Sequence, residues 1–321
     1  MPRPLASSPR RASLRRALAA LAMLANCAGA ATAPVADAAR ASVTIYAAGD
    51  IADCRHRPPA WSGAAATAEL VAAALARAPD GTVLTLGDAT YPRGAAAEFS
   101  DCYAPTWGRF KQATRPAPGN HEYASAGAAP YFDYFGAAAA PARGGYYSFE
   151  LGAWHLVALN SMLTAQARTR QLEWLRADLA AHRQRCTLAY WHHPLYSSGG
   201  HAPDARMRAA WQVLYEAGAD VVLSGHDHDY ERFAPQDANG RVDTARGLRQ
   251  FVVGTGGAYA TPFVRALANS EARDSARSGV LRLQLGQDGY AWDFMEASYD
   301  GFPNGAPPDH GQARCHARQG A

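Results

Sequence analysis

Five times along this chain an apolar run stops, usually at a glycine, and a carboxylate, an amide or an imidazole follows. "TIYAAG" delivers Asp50 and "VLTLG" delivers Asp88. "RPAPG" delivers Asn120 and His121, "CTLAYW" delivers His192, and "VVLSG" delivers His226 and His228. In open α/β sheets, ligands bind beyond the carboxyl ends of the strands. A capping aspartate or a loop histidine is common on its own. Five runs that end in the same way demand a sheet whose strand ends share one edge, with a reactive rim along it.

The segments between these runs fit that demand. "SGAAATAELVAAALARAPDG" reads as a helix that Ser62 can cap and that Pro79 and Gly81 stop. "TRQLEWLRADLAAH" places Leu172, Leu175 and Leu179 on one helical face, and "DARMRAAWQVLYEAG" does the same for Met207, Trp211, Leu214 and Tyr215. "YYSFEL" and "WHLVALN" read as strands turning at Gly152-Ala153. "LRQFVVGTGG" and "VLRLQLGQDGYAWDFMEA" suggest three more strands, the last two a hairpin turning at Gln287 to Gly289. From Tyr91 to about Gly144 the chain is rich in Gly, Pro and aromatics and is expected to be irregular. No internal repeat or low-complexity linker divides the chain. The fold class is α/β, with one domain over residues 42–297 and an irregular tail over 298–321.

The N-terminus has a different character. "MPRPLASSPRRASLRR" carries five arginines and no acid, "ALAALAMLA" is a short apolar run, and "CAGAATA" supplies small residues. That order predicts a secretory signal and cleavage region over residues 1–33, and the apolar run is too short to span a bilayer. Lipidation at Cys27 is the alternative, although Asn26 stands where a small residue is wanted. Without the five arginines the formal charge of +3 becomes −2, with 26 basic residues against 28 acidic. The remainder has no basic run to hold nucleic acid, and no stable membrane association is expected. Export to a secreted or periplasmic location frames Cys54, Cys102, Cys186 and Cys315, an even number without Cys-x-x-Cys or a zinc spacing, as disulfides. Cys54 and Cys102 each follow a ligand-bearing strand end by a loop and should pair. Cys186 with Cys315 is the residual pairing.

The rim residues suit metal chemistry. Carboxylates and the Tyr91 phenol of "GDATY" are hard donors, and imidazole suits iron, zinc and manganese. The donors are too many for one tetrahedral ion but enough for two ions sharing a carboxylate, the arrangement used for in-line displacement at phosphorus.

The motifs "GDI", "GDATY", "GNHE", "WHHP" and "GHDHDYER", in this order, resemble the calcineurin-like metallophosphoesterases and, more closely, their purple acid phosphatase branch. The similarity runs from about Val43 to Gly257. Many members of the superfamily carry a histidine two residues after the first aspartate. Here that place is Ala52, and a tyrosine stands three residues after the second aspartate, the mark of the purple branch.

The resemblance implies a four-layer α/β/β/α sandwich of mixed sheets, with a dinuclear metal site at the strand C-terminal edge and without the N-terminal β-domain of larger members. It implies one metal held by Asp50, Asp88, Tyr91 and His228, and another by Asp88 as bridge with Asn120, His192 and His226. It implies Fe3+ plus a divalent Zn, Fe or Mn ion. Tyr91 favours the trivalent ion, because a phenol of pKa ~10 is deprotonated readily only by a strong Lewis acid.

His121 matches the motif histidine that contacts the substrate phosphate and assists the leaving group. His201, in "SSGGHAP", lies near the spacing of a second phosphate-contacting histidine. Asp227 is expected to be structural, orienting an imidazole. His193 is expected to pack or to support a ligand, and His155 to be a satisfied core residue. His56, His182, His310 and His316 lie outside the motifs, with the surface as their default.

The implied function is hydrolysis of a small phosphate monoester by a metal-bridging hydroxide. The alternatives are a phosphodiesterase or nucleotidase on the same scaffold and, more remotely, a non-catalytic metal- or phosphate-binding protein.

Overall fold

The computed structural model describes residues 42–140, 144–182, 184, 186–297 and 309–316. The predicted signal region 1–33, including Cys27, lies outside the described residues, as do 298–308 and 317–321 of the tail.

Thirteen strands are found among the described residues: β1 (Val43–Ala48), β2 (Thr82–Leu86), β3 (Thr114–Ala117), β4 (Tyr147–Leu151), β5 (Trp154–Ala158), β6 (Cys186–Tyr190), β7 (Val221–Ser224), β8 (Tyr230–Phe233), β9 (Arg249–Val253), β10 (Ser270–Asp274), β11 (Gly279–Leu285), β12 (Gly289–Glu296) and β13 (His310–Arg314). They form two mixed sheets. One has the order β13-β12-β11-β1-β2-β3 and the other β10-β8-β9-β7-β6-β5-β4. In the first, β1, β2 and β3 run parallel. In the second, β5, β6, β7 and β9 run parallel. Parallel pairing brings the C-terminal ends of these seven strands to a common side of each sheet, as the glycine-terminated runs require.

The sheets pack face to face. Phe251 of β9 meets Trp292 of β12 with ring centroids 5.7 Å apart, and Tyr230 of β8 stacks on Phe294 at 4.3 Å. The sheets also join at the ligand edge, where the Gly49 N–H donates to the Val253 carbonyl at 2.8 Å. Helices cover the outer faces. Helix Gly63–Arg77 is capped by the Ser62 hydroxyl and buries Ala64, Ala68, Leu70, Val71 and Ala74. Helices Ala165–Ala181 and Arg208–Glu216 bury Leu175, Leu179, Trp211 and Leu214 in a second apolar cluster with Val157 and Val222 of the seven-stranded sheet and Trp191 just past β6. Among the described residues no helix is long and apolar enough to cross a membrane.

Two expectations are corrected. The stretch from Tyr91 to Gly144, expected to be irregular, contains β3 and helix Ala129–Phe135. β3 is only four residues long and includes Pro116, which an edge strand tolerates because one side of its backbone needs no partner. The tail, also expected to be irregular, contains β13, which pairs antiparallel with β12. Its sequence, "HGQAR", has no apolar periodicity, and backbone pairing alone makes it a strand.

Both disulfides are present. Cys54–Cys102 has a Cα–Cα distance of 5.9 Å and Cys186–Cys315 one of 5.6 Å. The second ties the start of β6 to the end of β13 and so crosslinks the two sheets at the side opposite the ligand edge.

Candidate metal centre

The turns that follow the strands present the ligands in uncommon backbone conformations. Asp50, Asp88 and His226 all have positive φ, at 60°, 49° and 73°. For non-glycine residues this region costs about 1–2 kcal/mol each, and such strain gathers at functional sites. The neighbouring glycines permit close approach. Gly87 has φ 88° and lies against the His192 ring. A Cβ on Gly225 would stand 2.6 Å from Asp50 Oδ2.

The seven residues predicted as ligands come together in two groups that share Asp88. In the first, the Tyr91 hydroxyl lies 2.9 Å from Asp50 Oδ1, 3.4 Å from Asp88 Oδ2 and 3.2 Å from His228 Nε2. His228 Nε2 lies 3.3 Å from Asp50 Oδ1. In the second, His192 Nε2 lies 3.2 Å from Asp88 Oδ2, 3.0 Å from Asn120 Oδ1 and 3.2 Å from His226 Nδ1. Donors about 2.1 Å from one ion are separated by about 3.0–3.4 Å in octahedral or tetrahedral geometry. The spacing in both groups is that of ligand edges around an ion, and the donor set fits two metals.

The second nitrogens of two rings are fixed by carbonyls. His192 Nδ1 faces the Leu86 oxygen at 2.8 Å and His228 Nδ1 faces the Tyr259 oxygen at 2.5 Å. With Nδ1–H donating there, Nε2 presents its lone pair to the site.

Electrostatics follow from burial and proximity. Burial pushes the Tyr91 phenol well above its ordinary pKa, and the Asp50 and Asp88 carboxylates push it further. Burial opposes charge on His192, yet Asp88 outweighs it and raises the imidazole to about 9. Burial and the nearby His192 lower His226 to about 4. Burial would raise Asp88, but His192 and His121 hold it well below the usual carboxylate range.

His121 and His201 flank the ligands. His121 Nδ1 is held by the Pro92 carbonyl at 2.6 Å, and its Nε2 stands 3.9 Å from Asp88 Oδ2. The His201 ring lies 4.9 Å from that of His226 and 5.5 Å from that of His228.

His193 packs on His226 at 4.2 Å with Nδ1 on the Ser161 hydroxyl. His155 is fully buried between two carboxylates. His56 and His310 are exposed. His182 and His316, assigned by default to the surface, are half-buried beside Asp178 and Asp220.

One residue at the site had no role assigned from the sequence. Glu122, in "GNHE", is fully buried. Its Oε2 accepts from the N–H groups of Asp88 at 2.9 Å and Gly119 at 2.7 Å, and its Oε1 accepts from Ala89 at 2.8 Å. Burial and the Asp88 carboxylate push its pKa up to about 8, against the pull of the N–H donors. It fixes the turn that bears the shared ligand. The available signal was a glutamate inside a loop motif.

Known proteins share the family and the fold of this chain. A profile of the calcineurin-like phosphoesterases matches residues 43–230. Purple acid phosphatase 15 of Arabidopsis thaliana is 30% identical over 233 residues, covering 60% of this chain and 42% of the relative. Purple acid phosphatase 21 of the same plant is 31% identical over 186 residues, covering 50% and 41%. The chain therefore spans less than half the length of these relatives. Among solved structures, a purple acid phosphatase from yellow lupin (Lupinus luteus) seeds superposes with a TM-score of 0.67 at 19% identity, covering 84% of this chain and 53% of that one. The anchor in the inner membrane complex of Plasmodium superposes at 0.66 with 11% identity, covering 87% and 91%. These two likenesses show the fold. The profile match, spanning more than half of the sequence and holding Asp50, Asp88, Asn120, His192, His226 and His228 within it, shows that this chain belongs to the calcineurin-like phosphoesterase family.

Proposed function

We propose that this chain is a dinuclear-metal phosphatase that hydrolyses phosphate monoesters. The observation that carries the reading is the convergence of seven donor side chains at ligand-edge spacing around a shared Asp88. Asp50, Tyr91 and His228 would hold one ion, Asn120, His192 and His226 the other, and Asp88 both. Bound there, two ions would supply Lewis acidity to the phosphoryl group and lower the pKa of water. The phenol at Tyr91 favours a trivalent ion in its group, with a divalent ion in the other.

The chain's own residues supply the rest. Leu86 and Tyr259 orient two ligand imidazoles through their carbonyls. His121, with Nδ1 committed to Pro92, keeps Nε2 to place a proton on the departing alkoxide. His201, with its ring beside those of His226 and His228, would contact the phosphate. Residues 42–297 form the catalytic domain, and residues 1–33 direct export and are removed. The relatives named purple acid phosphatases support the reaction class.

The test is purified protein with its metal content measured, assayed on an aryl monoester and a bis-aryl diester across pH. Two metals per chain and faster turnover of the monoester are expected. Equal or greater turnover of the diester at saturation would move the assignment to a phosphodiesterase. Two bound metals without hydrolysis of either substrate would make it a binding protein. Mass spectrometry of exported protein should find a new N-terminus near residues 30–33; an intact Met1, or a diacylglyceryl group on Cys27, overturns simple cleavage.

A further inference from the structure

Between the ligands His226 and His228 stands Asp227, fully buried and directed toward the loop of residues 197–201. Its Oδ1 accepts the His201 backbone N–H at 2.6 Å and lies 3.4 Å from His201 Nδ1. Its Oδ2 accepts the Ser197 hydroxyl, and the Ser197 oxygen in turn accepts the Gly199 N–H at 3.0 Å. Both ends of the loop are thus tied to a single carboxylate. Glu231 holds the middle, accepting the Ser198 N–H at 2.8 Å and its hydroxyl at 2.6 Å. Gly199 lies so close that a Cβ there would stand 2.5 Å from both Asp227 Oδ1 and Asp229 Oδ2. Only a residue without a side chain lets the loop press onto these acids.

We propose that Asp227 is a positioning residue that acts through His201. By binding both the backbone and Nδ1 of that histidine it fixes the ring beside His226 and His228, and so leaves Nε2 for a phosphoryl oxygen. This rests on the phosphatase reading above and adds to it the device that sets one of its anion contacts. The ligand chemistry is a tetrahedral oxyanion: the substrate phosphoryl group or free phosphate. An imidazole on a glycine-rich loop samples many orientations, and holding it in one removes an entropic cost from each binding event. The tie also makes the short "GHDH" segment serve two purposes, with its histidines on the metals and its aspartate on the loop opposite them.

The test compares His201→Ala, Asp227→Asn and the double variant in the metal-loaded full chain. Asparagine keeps the volume and one acceptor, so the fold should survive, and metal content and melting temperature are measured first. With two metals retained, Asp227→Asn should lower kcat/KM for an aryl monoester at least tenfold. It should also weaken binding of inorganic phosphate, measured by calorimetry, as His201→Ala does. The double variant should be no worse than His201→Ala within about twofold, because a residue acting through His201 has nothing left to position. Losses that multiply, full phosphate affinity in Asp227→Asn, or a loss traced to missing metal would overturn the proposal. An inactive wild-type protein would overturn the phosphatase reading alone, since phosphate calorimetry still tests the tie.

Discussion

The Tyr91 hydroxyl stands 2.9 Å from Asp50 Oδ1, and both atoms lie within 3.3 Å of His228 Nε2. Three donor atoms from three distant segments therefore stand together at the spacing that ligands of one ion would have. Burial raises the phenol's pKa, with the two carboxylates adding to the shift, and a cation bound there would favour the phenolate. Tyr91→Phe removes one oxygen and little volume. The iron-loaded wild type should show a visible charge-transfer band that the variant lacks, and the trivalent ion should bind about tenfold more weakly or worse. An unchanged band in Tyr91→Phe would show that the tyrosine only packs.

Glu122→Gln should disturb the turn that carries Asp88. The carboxylate accepts three backbone N–H groups from the turns around Asp88 and Gly119. An amide has one acceptor oxygen, so at least one buried N–H loses its partner, at a cost of about 1–3 kcal/mol. A lowered melting temperature together with fewer than two metals per chain is expected. Wild-type stability and metal content would contradict this role.

His155 gives stability a pH dependence unconnected with the metals. Burial opposes its charge, yet hydrogen bonds from its two nitrogens, to Asp178 at 2.7 Å and Glu150 at 2.8 Å, raise its pKa above 6.5. The other groups facing it are the stacked His182 ring at 4.7 Å and, through Asp178, the Ser148 hydroxyl. A histidine whose folded pKa is raised contributes its full stabilisation below the unfolded value, and that contribution fades as pH rises through the folded value. Asp178 has the opposite sense. Burial would raise it, but the bond from His155 and the Ser148 hydroxyl lower it, so its contribution is lost only as pH falls below 3.8 through the depressed value. Thermal melts should show His155→Gln destabilised by about 3 kcal/mol near pH 5.5, with the gap narrowing as pH rises through the raised folded value. A gap that never narrows with rising pH would rule out the charged triad.

The two disulfides should have separable effects. They close segments of 48 and 129 residues, for which chain entropy gives about 4 and 5 kcal/mol. Cys54–Cys102 brackets Asp88 and Tyr91 at the ligand edge, whereas Cys186–Cys315 joins the sheets at the other side. The double change Cys186→Ser with Cys315→Ser should lower the melting temperature and speed hydrogen exchange in β12 and β13 while both metals remain bound. Loss of metal from that variant would contradict this separation.

Much of the site was legible because its residues are announced locally. A run such as "VLTLG" specifies a buried strand and its end, and Asp88 follows whatever the rest of the chain does. The same holds for the Ser62 cap and for the hairpin at Gln287 to Gly289. Strands β3 and β13 carried no such signal. "TRPA" and "HGQAR" have no apolar period and become strands because β2 and β12 offer them open edges. The sequence by itself determined which donors this protein has and that Asp50, Asp88, His192 and His226 follow the ends of buried strands, since those are properties of a few adjacent residues. Only the tertiary structure decided that three N–H groups would meet Glu122, that two carboxylates would enclose His155, and that Asp227 would reach across to His201. Each of those contacts joins segments that are not neighbours along the chain, and the geometry that makes a hydrogen bond between them exists only once two sheets and their loops have packed.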